Sequence, residues 1–209
     1  MTKATRRAAR PGRPAEGNDT AQQILDVAER LVQTRGYNGF SYADVAGELR
    51  VTKASLHYHY ASKATLGAAL VDRYHAAFAA ALASIDAAAG DAASRLRRYV
   101  GIYDAVIHNH RMCLCGMLAA EQATLPSSMR ARLQQFFDVN ERWLTAVLDD
   151  GRRAGVFAFR ERPAERAGVI LGALEGAMLV ARSYDDPDRF RTAADQILHD
   201  VAAVKRTAK

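Results

Sequence analysis

Six consecutive residues of this chain carry four hydrogen-bonding side chains, those of Lys53, Ser55, His57 and Tyr58. Side chains of these types reach phosphate oxygens and base edges when a short helix enters the major groove of DNA. A metal site at His57 and His59 is disfavoured, because residues two apart on a helix point to nearly opposite sides. The pattern therefore favours contact with nucleic acid.

Capping residues divide this region into short helices. Ser41 with Asp44 resembles a capping box ahead of an apolar run. Thr52 and Ser62 can cap the next two helices through their hydroxyl groups. Lys63 would then occupy the first position of a helix, where its charge opposes the helix dipole. A docked phosphate would explain a lysine at that position.

The segment Val51–Leu66 resembles the TetR/AcrR family of bacterial transcriptional regulators. The family pattern is similar to V-S/T-K-G/A-x-L-Y-Y-H-F-x-S-K-E-x-L, and this chain reads VTKASLHYHYASKATL. His57 replaces an aromatic residue of the pattern, and Ala64 replaces its acid. The resemblance is strong over residues 20–70 and elsewhere depends on length and helical pattern.

The resemblance implies an all-α homodimer, most often a repressor, that binds a double-stranded DNA operator and responds to a small-molecule inducer. The helix beginning at Lys53 would enter the major groove, with Thr52, Tyr58 and Lys63 on phosphates. Two such helices would meet a near-palindromic site. The predicted DNA-binding residues are Arg10, Arg13, Ser41, Thr52, Lys53, Ala54, Ser55, His57, Tyr58 and Lys63.

Basic residues are concentrated at the amino terminus. The chain has a net charge of +6, and Lys3, Arg6, Arg7, Arg10 and Arg13 all precede the first acid, at position 16. Residues 1–17 are predicted to be a disordered basic arm that lies along DNA, with Arg10 and Arg13 in a minor groove. A solubilising terminus is the alternative.

Helical periodicity and Gly or Pro breaks predict about nine helices and no strand of useful length. A three-helix head would occupy residues 18–64, with its first helix capped by Asp19. A ligand-binding and dimerisation domain would occupy residues 65–209. The remaining helices are predicted at about 63–85, from about 92 to the polar turn at 108, then at 112–123, 127–154, 163–184 and from 187 onward.

The predicted eighth helix is apolar nearly all round, so it requires cover on both sides. Gly168, Gly172 and Gly176 recur along one edge, where another backbone could approach. The resemblance places this helix and the ninth, with Ile197 and Val201, in a four-helix bundle between two subunits. Packing within one chain is the alternative.

Polar residues on apolar helix faces predict a ligand pocket for a small apolar or aromatic inducer, since such a site combines an apolar cavity with a few fixed polar groups. Hydrogen bonds among these residues, or to backbone, are the alternative. The candidate lining residues are Phe78, Tyr103, Met117, Glu121, Phe137, Asn140, Trp143 and Glu175.

Cys113 and Cys115 follow two histidines, His108 and His110. A thiol-based redox or electrophile sensor is one interpretation, in which His110 and Arg111 lower a thiol pKa. A metal cluster is less favoured, because the spacing matches no zinc signature. Small residues filling a core are the third interpretation.

Several functional classes are not expected. The sequence contains no Gly-rich phosphate loop, nucleophile elbow or HExxH, so no enzyme, metal or cofactor is predicted. There are two rival interpretations. One is a helical enzyme with Glu121, Tyr103 and the two cysteines in a catalytic cavity and a vestigial DNA-binding head; the other is an architectural DNA binder without a ligand. The longest apolar run, 167–181, is too short to cross a bilayer, and a cytoplasmic protein is expected.

Overall fold

The computed structural model describes residues 15–202. Within that range the chain forms nine α-helices, a 3₁₀ turn at Gln122–Thr124 and no sheet, which confirms the predicted all-α class. An isolated bridge pairs Phe157 with Ala202. The helices are α1 (Ala15–Arg35), α2 (Tyr42–Leu49), α3 (Lys53–His59), α4 (Lys63–Ala87), α5 (Ala92–His108), α6 (Leu114–Ala120), α7 (Ser127–Arg153), α8 (Pro163–Ser183) and α9 (Pro187–Val201).

The first helix starts earlier than the sequence predicts. α1 begins at Ala15, so residues 15–17 are helical and the predicted disordered arm is too long. Alanine and glutamate, the residue types at positions 15 and 16, have high helix propensity. The Asp19 carboxylate accepts a hydrogen bond from Gln23 at 3.2 Å within the helix instead of capping it. Arg10 and Arg13 lie outside the described residues.

The predicted caps of the following helices are confirmed. Ser41 Oγ accepts from the Ala43 N–H at 3.2 Å, while Asp44 accepts from the Ser41 N–H at 2.7 Å. Thr52 Oγ1 accepts from the backbone N–H three residues later at 3.2 Å, and Ser62 Oγ does the same at 3.1 Å. These bonds satisfy orphan donors at the start of each helix, so the ends of α2, α3 and α4 are fixed locally.

α4 joins the head, α1 to α3, to the rest of the molecule. It is 25 residues long, and the predicted boundary between residues 64 and 65 lies inside its first turn. Leu66 and Leu70 near its start and Phe78 and Leu82 further along belong to one continuous hydrophobic core. A rotation of α4 would therefore carry the head with it.

The larger part of the molecule is organised around α7 and α8. α7 packs against α4, α5 and α8, and α8 packs in turn against α9. No helix within residues 15–202 has both the length and the apolar character of a membrane span.

Candidate DNA interface and ligand groove

α3 presents a polar surface on one side and is anchored on the other. The Leu56 side chain is fully buried, which fixes the helix in the head. Lys53, Ala54 and His57 are exposed, and Tyr58 has 86% of its surface exposed. An aromatic residue that exposed gains nothing from the core, so its position favours contact with a partner.

His57 is held in a fixed orientation. Its Nδ1 lies 3.1 Å from the carbonyl oxygen of Ala61, which can only accept, so Nδ1 donates. Its ring lies 4.8 Å from the Tyr42 ring, and the Tyr42 hydroxyl donates to the Tyr60 carbonyl at 2.8 Å. The histidine thus takes the place of the family's aromatic residue by packing the turn between α3 and α4.

Lys63 has partners inside the head. Its ammonium group donates to the Phe40 carbonyl and lies 4.6 Å from the Tyr37 ring centre and 4.3 Å from that of Phe40. Burial lowers its pKa, and the nearby acids Glu121 and Asp44 oppose that shift. Two rings and a carbonyl group therefore stabilise the charge of this lysine without a phosphate. A phosphate contact by Lys63 stays a prediction.

A concave surface of about 390 Å³ adjoins these residues. It lies at the amino-terminal end of α2 and beside α3, where backbone N–H groups and the positive end of the α2 dipole favour an anion. The lining residues are Phe40, Ser41, Tyr42, Ala43, Lys53, His57 and Lys63.

Tyr103 and Asn140 belong to a buried network rather than to a cavity. Asn140 is completely buried, and its Oδ1 accepts from the Tyr99 hydroxyl at 3.0 Å. Its Nδ2 donates to the Phe136 carbonyl at 2.8 Å. The hydroxyls of Tyr99 and Tyr103 are 3.2 Å apart. This geometry favours internal pairing, and it contradicts the placement of Tyr103 and Asn140 in a pocket.

Three other candidate pocket residues also have partners elsewhere. The Trp143 indole N–H donates to Asp86 at 2.9 Å. Met117 Sδ accepts from Arg182 at 3.3 Å, and Glu121 accepts from the Asn38 N–H at 3.1 Å. None of the three is among the lining residues of the two concavities described below, so their placement in a ligand pocket stays a prediction. Helical spacing shows that a residue faces inward but not which neighbour it contacts.

Two other concavities each have a volume above 500 Å³. The first, of about 590 Å³, lies between α1, α4 and α5 and is lined by Phe78 and Tyr74. Arg73 also lines it and forms ion pairs of 2.6 Å with both Asp26 and Glu29. The second, of about 520 Å³, lies between α6, α7 and α8 and is called the α8 groove below. It is lined by Met112, Gly116, Ala119, Ala120, Phe137, Glu141, Gly168, Leu171, Gly172, Glu175, Gly176 and Leu179.

Glu175 is a partly buried acid of the α8 groove. Burial raises its pKa to about 7, while a hydrogen bond from the Cys113 thiol lowers it slightly. Among the described residues its Oε1 atom has no hydrogen-bond partner. A Cβ atom at Gly116 would lie 2.2 Å from Glu175 Oε2, so the glycine makes room for the carboxyl group. The sequence gives one signal for this, a glycine inside a helical pattern.

The two thiols are buried and protonated. Cys113 and Cys115 have 1% and 0% of their surfaces exposed. Burial raises the pKa of both thiols well above the usual value, and the Glu175 charge raises it further. The predicted lowering by His110 and Arg111 is therefore wrong. His110 lies 3.6 Å from Asp185, and within residues 15–202 no metal-binding group of side chains forms.

Both thiols are expected to resist modification. In the native protein their reaction with 5,5′-dithiobis(2-nitrobenzoate) should be slower than in unfolded protein by about 100-fold, since reaction needs a thiolate and access. Absorbance at 412 nm follows the reaction, and the single variants Cys113→Ser and Cys115→Ser assign each phase. If the thiols of the native protein react as fast as those of the unfolded protein, the result supports the interpretation of a thiol-based sensor.

The outer side of α8 has no cover within the described chain. Val169, Leu179 and Val180 each expose more than half of their surfaces, at 60%, 51% and 52%. A Cβ atom at Gly172 or Gly176 would meet no atom within 4 Å. Close packing of these two glycines within one chain, the alternative interpretation, is therefore wrong.

The other residues predicted to lie in the dimer interface are less exposed. A Cβ atom at Gly168 would meet only Glu141, at 3.6 Å. Ile197 is half-buried against the core. Val201 is 1% exposed, and its carbonyl accepts from the Ala158 N–H at 2.9 Å. Its assignment to the interface is wrong, because its side chain is already buried within its own subunit. The segment after α7 pairs with the backbone at the end of α9, where Phe157 forms a bridge with Ala202.

Residues that the sequence interpretation missed connect the larger domain to the head. Arg182 at the end of α8 donates to the carbonyls of Gln33, at 3.3 Å, and Thr34, at the end of α1. The Met112 N–H donates to the same Gln33 carbonyl at 3.1 Å. A cation at the carboxyl end of a helix is favourable, but nothing local in the sequence indicates which helix Arg182 meets.

Comparisons with known proteins decide the family. Residues 24–70 match the bacterial regulatory proteins of the tetR family, and residues 81–196 match the C-terminal domain of LmrA/YxaF-like transcriptional regulators. The chain belongs to the TetR family. The matched families consist of transcriptional regulators, so this TetR-family protein is a DNA-binding regulator of transcription and not an enzyme.

Individual relatives agree with this assignment. The Escherichia coli repressor NemR is 25% identical over 178 residues, covering 80% of this chain and 88% of that protein. The regulator AcuR of Cereibacter sphaeroides is 27% identical over 187 residues, covering 86% and 85%. The crystal structure of a TetR-family regulator from Agrobacterium tumefaciens is 31% identical in sequence, with a TM-score of 0.87. The match covers 90% of this chain and 100% of the Agrobacterium chain.

Proposed function

We propose that this regulator is a homodimeric repressor, and that a small molecule bound in its larger domain releases it from a near-palindromic operator. The exposed polar face of α3, with Tyr58 at 86% exposure above the buried Leu56, is the observation that carries the DNA-binding part. The names of the repressors NemR and DhaR among its relatives support repression.

On DNA, α3 would lie in the major groove. Lys53, Ala54, Ser55 and His57 would be nearest the base edges, and Tyr58 would reach a phosphate. A second phosphate fits the concave surface beside α2 and α3. The basic arm, which lies outside the described residues, would follow the adjacent minor groove.

Helix α6 provides a route from an inducer to the head. Its residues Gly116, Ala119 and Ala120 line the α8 groove, and Glu121, directly after it, accepts from the Asn38 N–H at 3.1 Å. The Asn38 amide also donates to Thr124 at 2.7 Å. An inducer that favours a shifted α6 would thus change the position of the head, and the two heads would no longer match adjacent grooves.

Substitutions in α3 test the DNA-binding part. Lys53→Ala and Tyr58→Ala should each weaken operator binding by about tenfold, a cost typical of losing one charged or hydrogen-bonding contact. Fluorescence anisotropy with a site selected from random DNA measures the affinity. Arg97→Ala is the matched control, because Arg97 is an exposed residue of α5 that contacts Ser94 at 3.1 Å.

Each outcome of that experiment has a clear meaning. Both α3 variants should unfold at the same temperature as the parent protein, since neither side chain is buried. If Lys53→Ala and Tyr58→Ala bind DNA as tightly as Arg97→Ala does, α3 is not the recognition helix. A selection that enriches no palindromic site would contradict binding by two symmetric heads.

A further inference from the structure

The concavity of about 590 Å³ between α1, α4 and α5, called the α5 groove below, lies outside the proposed dimer interface. Among the described residues its lining comes from α1, α4, α5 and the turn after α5, and it includes no residue of α8 or α9. A partner subunit packed on α8 and α9 would therefore not occupy it. Its volume lies within the usual range of small-molecule sites.

Two arginines line the α5 groove, and their surroundings differ. Arg73 forms ion pairs of 2.6 Å with both Asp26 and Glu29, so its charge and theirs are already engaged. The guanidinium of Arg111 forms no hydrogen bond or ion pair with any residue of the described range 15–202. Arg111 is partly exposed, so its N–H donors are free to bind an anion that enters the groove.

The acids on the other side of Arg111 have partners of their own. Arg111 also lines a smaller concavity of about 250 Å³, where Asp185 and Asp186 lie. Asp185 lies 3.6 Å from His110, and Asp186 lies 3.5 Å from Arg189. Within the described part of the chain neither acid pairs with Arg111, so its guanidinium can bind a ligand in the α5 groove without breaking an ion pair.

The rest of the α5 groove suits the apolar body of a ligand. Ile102 and Val106, one turn apart on α5, are partly exposed there, and a ligand would shield them from water. The Phe78 ring lines the groove from α4. Ala77 and Ala81 on the same helix have small side chains, which leave space beside that ring.

We infer that the α5 groove binds organic carboxylates with an aromatic or aliphatic body, and that the carboxylate accepts hydrogen bonds from the Arg111 guanidinium. The planar fork of an arginine matches the two oxygens of a carboxylate. This inference rests on the proposed ligand response and names the chemistry of the ligand. Because α1 belongs to the head and α4 joins the head to the rest of the molecule, a ligand there acts on the head without requiring a shift of α6.

Calorimetry on the full chain tests the inference with a matched series. The probes are phenylalkyl carboxylates from phenylacetate to 4-phenylbutanoate, with the alcohols and amines of equal length. The best carboxylate should bind at least about tenfold more tightly than its alcohol, the difference that one charge-assisted hydrogen bond provides. The amines should bind no more tightly than the alcohols, because Asp26 and Glu29 already pair with Arg73.

One pair of variants assigns the effect to one side chain. Arg111→Gln removes the charge and should reduce carboxylate affinity to that of the alcohol, without changing the alcohol's affinity. Arg97→Gln is the matched control, because Arg97 is an exposed arginine of α5 that does not line the groove. Circular dichroism verifies that both variants fold.

A second pair of variants locates the ligand. Ala77→Leu places a larger side chain in the α5 groove and none in the smaller concavity, so it should weaken carboxylate and alcohol alike by about tenfold. Ala76→Leu is the matched control, because Ala76 is exposed on the same helix but lines neither concavity.

The inference and the proposed function fail in different ways. A carboxylate series without preference over the alcohols, or one that Arg111→Gln leaves unchanged, overturns the inference. Binding that Arg111→Gln weakens but Ala77→Leu leaves unchanged places the carboxylate in the smaller concavity and overturns it as well. Operator affinity is measured separately: carboxylates that bind through Arg111 without releasing DNA confirm the site and contradict the inducer role, whereas release by other organic compounds alone does the reverse.

Discussion

Replacing Asn140 with leucine is expected to lower the free energy of unfolding by about 2 kcal/mol, because it removes both hydrogen bonds of a buried amide. The change leaves the Tyr99 hydroxyl without its acceptor in a site from which water is excluded. The branched leucine side chain fills a similar volume, so the loss would come from polar groups rather than from a cavity. Urea unfolding followed by circular dichroism measures it.

A double-mutant cycle with Tyr99→Phe isolates the shared bond. The two substitutions should be non-additive, because each removes the 3.0 Å contact between Tyr99 and Asn140. Thr145→Val is a control on the same helix, since the Thr145 hydroxyl bonds only to the Glu141 carbonyl among the described residues. If the Asn140→Leu variant keeps full stability but loses its response to organic inducers, Asn140 belongs to a ligand site and not to a structural network.

The parts of the fold that local contacts determine could be predicted from the sequence. Residue type alone predicts Ser41, Thr52 and Ser62 as caps, because each side chain bonds a backbone N–H only two or three residues further along the chain. Gly36, directly after α1, and Gly155, shortly after α7, have φ values of +84° and +70°. Glycine adopts this left-handed conformation without steric cost, so its position marks the end of a helix directly.

Contacts between distant segments could not be predicted in the same way. Glu121 bonds Asn38, which is 83 residues away, and Trp143 bonds Asp86 at a separation of 57 residues. Helical spacing correctly indicated that Glu175 interrupts an apolar face. It could not distinguish Glu175, whose Oε1 has no partner among the described residues, from Asn140, whose amide is fully paired. Only the arrangement of neighbouring helices shows whether a polar side chain is available to a ligand or is paired within the protein.

A leucine at position 172 is expected to abolish dimerisation while leaving the fold of each subunit intact. A Cβ atom there meets nothing within 4 Å in the described chain, so a leucine causes no clash in the monomer. Leucine also favours helix over glycine by about 0.8 kcal/mol. Beside Val169 and Val180, however, it would stand where the proposed partner's backbone approaches. Light scattering at low micromolar concentration should therefore report a monomer.

Loss of the dimer should also remove operator binding. Two linked heads bind more tightly than one by a factor of about 10²–10⁴, so the monomer should lose at least about 100-fold in affinity. Because Gly172 also lines the α8 groove, the DNA titration is done without inducer. Gly101→Leu is the matched control: it lies in α5, and a Cβ atom there also meets nothing within 4 Å. If Gly172→Leu remains a dimer and binds the operator as Gly101→Leu does, the subunits meet through a surface that does not include this part of α8.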